Sequence, residues 1–394
     1  MSEDTKMKYE LVDMYSDSAV IKVIGVGGGG GNAVDYMMEH DIDGVQFMCA
    51  NTDAQALRRY VNVETKIQLG VELTKGLGAG TRPEIGRQAA EENKEHLREV
   101  IEGADMVFLT AGMGGGTGTG AISVIAEVAK ELGVLTVAVV TKPFDFEGRK
   151  KKAVADAGIR ELEKQVDSLI IIPNQKLLPV LGNNLSLLNA FKAANNVLLD
   201  AVQGITELIT NPGLINVDFA DVKTVMSIKG TAIMGSGSAS GDNRAREAAE
   251  KAIACPLLED VNVQGANGIL VNITAAEMHL TEFDEIGNIM HAFASEDADM
   301  KIGTAINNEM GDEIKVTVVA TGMGENAVAN SPVKLVQKAA TGDVNYDVLD
   351  KPTVIRQSKQ QPESRETRFG VQPKGNDMDL EYLDVPAFLR RQAD

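Results

Sequence analysis

The tightest constraint on this chain is the segment Gly112-Met113-Gly114-Gly115-Gly116-Thr117-Gly118-Thr119-Gly120, which follows an apolar run at 104–110 and opens a helical pattern at 121–132. Glycine at this density removes Cβ atoms and lets consecutive N–H groups turn toward one point. A helix N-terminus behind such a turn adds free N–H groups and the positive end of its dipole. That combination suits a phosphate, with the hydroxyls of Thr117 and Thr119 as further donors. A flexible linker has a similar composition but is not bounded this closely by strand and helix patterns. The segment predicts a strand–turn–helix unit that receives an anion.

The pattern recurs along the chain. Residues 19–26 (AVIKVIGV) form a β-branched run, read as a strand buried on both faces, and lead into Gly27-Gly28-Gly29-Gly30-Gly31-Asn32 and a helical pattern at 33–39. A strand at 45–50 ends in Asn51-Thr52-Asp53, and Gly76-Leu77-Gly78-Ala79-Gly80-Thr81 makes a third glycine cluster. Pro83 suits the first position of a helix reaching about 101. Strands at 134–140 and 168–173 flank a helix near 147–165. Strands alternating with helices, with glycine turns at strand ends, predict an α/β fold: a doubly wound parallel sheet, here a nucleotide-binding domain over 19–184.

Residues 185–210 carry apolar side chains on most of a helix circumference, which predicts burial on several sides. At 1.5 Å per residue that helix spans roughly 35–40 Å, and Asn211-Pro212-Gly213 stops it. It reads as a central spine. Beyond it, residues 211–323 predict a smaller α+β domain, with strands at 232–239, 269–274, 301–306 and 314–320 around helices at 243–254 and 283–294. Residues 1–18 are a polar, acidic extension rather than a signal sequence. Residues 324–379 are too polar to bury a core and read as a disordered linker, whereas 380–394 regain large apolar side chains suited to a docking peptide.

A formal charge of −19 over 394 residues opposes wrapping nucleic acid or an acidic membrane surface. No apolar run reaches the length of a membrane span, and two cysteines, Cys49 and Cys255, make no disulfide framework. These features predict a soluble, cytoplasmic protein without direct membrane insertion. His40, His96, His279 and His291 show no metal-ligand clustering with cysteines.

Gly25-Val26-Gly27-Gly28-Gly29-Gly30 also satisfies the dinucleotide fingerprint, with Asp53 near the position of a ribose-binding acid. A nicotinamide-dependent oxidoreductase is therefore one reading, and a scaffold holding nucleotide only structurally is another. Several glycine loops at one sheet edge favour a chain of phosphates instead. No G-x-x-x-x-G-K-[ST] occurs, so backbone amides and a metal must hold those phosphates rather than a P-loop lysine. Asn216-x-Asp218-x-x-Asp221 supplies an amide and two carboxylates just after the spine, although spacing alone favours helix capping for the aspartates.

GGGTGTG at 114–120 resembles the hallmark of the tubulin/FtsZ family, and GGGGGNA at 27, NTDAQAL at 51, GLGAG at 76, PFDFEG at 143, NVDFADV at 216 and YLDVPAFLRR at 382 extend the resemblance over essentially the whole chain. It implies binding of GTP with Mg²⁺, hydrolysis to GDP, and head-to-tail filaments forming a ring beneath the inner membrane at mid-cell. It further implies phosphate contacts from Gly28, Gly29, Gly30, Gly31, Asn32, Gly115, Gly116, Thr117 and Gly118, aided by the turn Ala79, Gly80 and Thr81. Glu147 and Lys151 are implied at the ribose. Asn174, Phe191 and Asn196 are implied around the guanine, with Asn195 also in the nucleotide site. Two positions depart from the family pattern: Lys151 stands where many relatives have arginine, and Asn196 where many have aspartate. The resemblance turns Asn216, Asp218 and Asp221 from caps into catalytic residues completing the neighbouring subunit's site. It also implies that residues 382–391 bind membrane-tethering division proteins of the FtsA and ZipA type.

Overall fold

The computed structural model describes residues 19–323, apart from positions 41, 43, 182–185, 212, 259–265 and 296–297. The expected N-terminal extension, linker and C-terminal peptide therefore lie outside the described residues. Ten strands form one sheet: β1 Ile21–Val26, β2 Val45–Asn51, β3 Thr65–Gln68, β4 Met106–Gly112, β5 Leu135–Lys142, β6 Ser168–Pro173, β7 Thr231–Ser240, β8 Gly268–Ala275, β9 Asp299–Ile306 and β10 Glu313–Met323. Their order is β3-β2-β1-β4-β5-β6-β7-β10-β8-β9. The first six pair in parallel, as β-branched runs buried on both faces require. In the second half β10 runs antiparallel to β7 and β8, while β9 lies parallel to β8 at the edge.

The expected α/β fold is present, but its two halves share one sheet. Their seam is thin: β6 and β7 pair only at Leu169–Thr231 and Ile170–Ala232. The helix Leu187–Thr210 makes the stronger join, opened by Ser186, whose hydroxyl accepts from Asn189 N at 3.2 Å. Its Leu198, Leu199, Val202, Ile205 and Leu208 are buried in a core shared with Val137 and Ile170 of the first half and Leu270 and Val319 of the second. Burying such a side chain is worth about 1.5–3 kcal/mol, against about 0.5–1.5 for a backbone hydrogen bond. Side-chain burial on the spine therefore outweighs the hydrogen bonds of the seam.

The opposite face of the first half is covered by Pro83–Glu92, Lys94–Ile101, Thr117–Glu131 and Arg149–Leu162. The single helix expected from Pro83 breaks at Asn93, whose Oδ1 accepts from Gly70 N at 2.8 Å. Arg244–Ile253 and Leu280–Phe293 cover the second half. Strand β3 and the short helix Ala54–Arg59 had no separate expectation, because six residues or fewer show little periodicity.

Candidate functional site

The parallel strands end in a glycine-lined cup of about 320 Å³. Both glycine segments enter helices earlier than periodicity predicts. Helix Gly27–Met38 uses the glycines themselves as its first turn, and Thr117–Glu131 begins inside the GTGTG segment. Two sets of first-turn N–H groups thus face the same space.

Gly28, Gly29, Asn32, Gly80, Gly115, Gly116, Thr117 and Gly118 line the cup, with Glu147, Lys151, Asn174, Phe191 and Asn195 around them. Gly30, Gly31, Ala79, Thr81 and Asn196 do not line it. A Cβ on Gly28 or Gly115 would meet no protein atom within 4 Å, so bareness there serves the space rather than the packing. Gly30 and Gly31 answer to neighbours: a Cβ on Gly30 would lie 2.2 Å from Thr110 O, and one on Gly31 2.5 Å from the Tyr60 ring. Gly116 belongs to this second class, with Gly80 O 2.7 Å from its Cβ position. Its N–H donates to Gly80 O at 2.9 Å, tying the turn at 79–81 to the cup wall.

Tyr60 supports the floor from behind. Its hydroxyl lies 3.1 Å from Asn32 Oδ1 and 3.3 Å from Gly28 O, and burial pushes the phenol up to about 12, so it remains a donor at neutral pH. No local pattern distinguishes this tyrosine in the sequence. The threonines divide their work: Thr117 and Thr52 share a hydrogen bond of 2.6 Å, whereas Thr119 Oγ1 accepts from Gly114 N at 2.8 Å and stabilises the turn outside the cup.

On the wall, Glu147 accepts from Phe144 N at 2.9 Å and pairs with Lys151 Nζ at 2.5 Å, leaving the cup's one lining carboxylate engaged among described residues. Phe191 is half-exposed and meets buried Phe144 edge-on, with centroids 5.5 Å apart. Asn174 is 4% exposed, and its Oδ1 has no hydrogen-bond partner among the described residues. A buried acceptor without a donor is costly and calls for a ligand N–H. Asn196 faces elsewhere: Tyr36 donates to its Oδ1 at 3.4 Å, and its Nδ2 donates to Asp200 Oδ2 at 3.5 Å. It lines a separate cavity between the spine and β7.

Asp53, the acid of the dinucleotide reading, is committed as a helix cap, accepting from Gln55 N at 2.8 Å and Ala56 N at 3.2 Å. Asp218 does the reverse: it occupies the N-cap position of Phe219–Met226, yet its side chain makes no capping bond. Asn216 and Asp218 are exposed, and Asp221 lies in that helix's first turn. This loop follows the C-terminal end of the spine, while Phe191, Asn195 and Leu198 bring the spine's N-terminal turns to the cup. A 24-residue helix is roughly 36 Å long, so the loop and the cup stand at opposite ends.

Residues 20–182 match the family model of the Tubulin/FtsZ family, GTPase domain, and residues 230–324 that of the FtsZ family, C-terminal domain. The chain is 60% identical to the cell division protein FtsZ of Coxiella burnetii, over 97% of this chain and 99% of that one. It is 59% identical to the cell division protein FtsZ of Pseudomonas aeruginosa, over 98% and 100% of the two chains. Among solved structures, the empty FtsZ dimer of M. jannaschii superposes with a TM-score of 0.74 at 43% identity, covering 77% of this chain and 88% of that one.

Proposed function

The chain belongs to the tubulin/FtsZ family, and on that premise we propose how its residues share the work. It is a GTPase and a GTP-dependent cytoskeletal protein of cell division. In our reading residues 19–184 bind the nucleotide, 185–210 transmit its state, and 211–323 carry the hydrolytic loop. Gly28, Gly29, Asn32, Gly115, Gly116, Thr117 and Gly118 bind phosphates, Glu147 and Lys151 the ribose, and Asn174, Phe191 and Asn195 the base. Asn196 acts from behind, through Tyr36 and Asp200. A Mg²⁺ ion held by the phosphates themselves would supply charge compensation there, beside the backbone donors of Gly28, Gly115, Gly116 and Gly118. This fits a cup rich in backbone donors, since among the described residues no group of three or more His, Cys, Asp or Glu could hold a metal unaided.

The observation that carries this reading is the separation of cup and loop. One end of the subunit has the glycine-lined cup but no free carboxylate lining it among described residues; the other carries Asp218, which makes no capping bond, and the half-exposed Asp221. Apolar side chains are exposed at both ends, Leu77 (83%) and Leu188 at the first, Leu214 (81%) and Ile215 at the second. Complementary ends on one chain favour a heterologous, head-to-tail contact that propagates as a filament. Hydrolysis then requires a neighbour, and Asn216, Asp218 and Asp221 of one subunit orient water on the GTP of the next.

Purified protein is expected to bind GTP well above ATP, because guanine presents ring and exocyclic N–H donors to Asn174 Oδ1. Asn174→Ala should weaken GTP about tenfold, the loss of one buried hydrogen bond, and narrow the preference. Competition binding with both nucleotides tests this; equal affinities in the parent protein would remove the guanine assignment.

We also propose that the protein works in the cytoplasm, at a mid-cell ring, and is tethered there through 382–391 by FtsA-like or ZipA-like proteins. Among described residues no helix is long and apolar enough to cross a membrane. Deleting residues 382–394 is expected to leave GTP hydrolysis nearly intact while abolishing capture by such adaptors in a pull-down. Retained capture with lost hydrolysis would overturn the docking role.

A further inference from the structure

The edge strand β9 frames the hydrolytic loop. Gly213 N donates to Thr304 O at 2.9 Å, Thr304 N to Ile215 O at 3.0 Å, and Ile215 N to Thr304 Oγ1 at 3.0 Å. Gly303 lies so close beneath the loop that a Cβ there would approach Leu208 and Val217 side chains at 2.6 Å each. Two residues earlier, on the same face of the strand, Lys301 extends its ammonium to 3.2 Å from Asp221 Oδ1 and 3.5 Å from Asp299 Oδ1. Asp221 and Lys301 come from different elements with no local sequence relation.

We propose that Lys301 is a positioning residue, fixing the Asp221 carboxylate for its work on the nucleotide of the adjacent subunit. The inference rests on Asp221 acting there, as proposed above. A half-exposed carboxylate in the first turn of a helix samples several rotamers, or folds back onto free N–H groups. A group that orients an attacking water must instead hold one geometry, to within about 0.5 Å. The ammonium removes that freedom, while the backbone bonds from β9 fix the loop preceding the helix. Asp299 holds the lysine in turn from the same strand. The pairing also raises the lysine's own pKa, chiefly through its bond to Asp221, which favours the charged form that makes the pair. A half-exposed ion pair contributes little to stability, so a purely structural role predicts almost no effect from its loss.

The test uses the full chain with GTP and Mg²⁺, measuring phosphate release at varied GTP, pelleting of assembled protein, and thermal melting. Lys301→Met is expected to lower kcat about tenfold, within the range produced by misplacing a catalytic group. KM, critical concentration and melting temperature should remain at parent values. Lys301→Arg should restore most of the rate, because a guanidinium still reaches the carboxylate. In an Asp221→Asn background, Lys301→Met should cost nothing further, since both changes remove one function. An unchanged rate for Lys301→Met beside a slow Asp221→Asn would overturn the inference and leave the Asp221 reading standing. A parent-like rate for Asp221→Asn would overturn that reading itself. Multiplying losses in the double variant, or a rate loss that follows lowered melting and assembly, would equally refute positioning through Asp221.

Discussion

Asp221→Ala is expected to bind GTP almost normally and to hydrolyse it slower by on the order of 10²–10⁴-fold, the usual cost of losing a group that manages the attacking water. This is the expected result if the loop serves a neighbour, because the variant's own cup is untouched. A partner variant must fail at binding instead. Gly116→Val is unsuitable, since a Cβ there lies 2.7 Å from Gly80 O and would dislocate the wall. Gly28→Val suits the purpose: its Cβ meets no protein atom and enters the cup proposed to take the phosphates. Mixed together, the Gly28 variant presents an intact Asp221 to GTP held by the Asp221 variant. Phosphate release by the mixture should exceed that of either alone, given co-pelleting of both. Parent-like hydrolysis by Asp221→Ala at equal assembly would return the residue to the helix turn as a structural group.

The second large effect is on stability. Helices Pro83–Glu92 and Thr117–Glu131 cross where Gly120 has no side chain, and a Cβ there would stand 1.9 Å from Pro83 O and 2.7 Å from Arg87 N. Gly86 mirrors it, with Gly116 O 2.3 Å from its Cβ position. These are backbone atoms and cannot rotate away, so Gly120→Val must push the helices apart. We expect a loss of about 3 kcal/mol, at the upper end of ordinary overpacking, read as lowered melting temperature without nucleotide. GTP affinity should fall with it, because the turn at 79–81 leads into Pro83 and bonds to Gly116. Gly115→Ala is the control: its Cβ faces open space, so melting should hold while affinity drops. An unchanged melting temperature for Gly120→Val would mean the helices do not meet this closely.

The alternation of β-branched runs with amphipathic stretches was enough to read five of the six strands in the parallel half of the sheet, all but the four-residue β3. The spine was equally legible, since an expected helix at 185–210 is observed at Leu187–Thr210 between Ser186 and Asn211. Such features are local: a period, a cap or a breaker acts within a few residues of itself. The purpose of each glycine was not legible. Gly28 and Gly115 border open space in the cup, whereas Gly30, Gly31 and Gly116 make room for Thr110, Tyr60 and the turn at 79–81. That distinction depends on how closely two elements approach, which spacing along one element does not encode. Nor could spacing tell that Asp53 caps a helix while Asp218, at a cap position, does not. The turn of Asn196 away from the cup depends on Tyr36 and Asp200 around the spine. The two halves were read from a change of pattern, but only the folded chain joins them into one sheet. Sequence periodicity fixes which face of an element is buried; tertiary packing alone brought Lys301 on an edge strand to Asp221, because an ion pair between distant elements leaves no local trace in the chain.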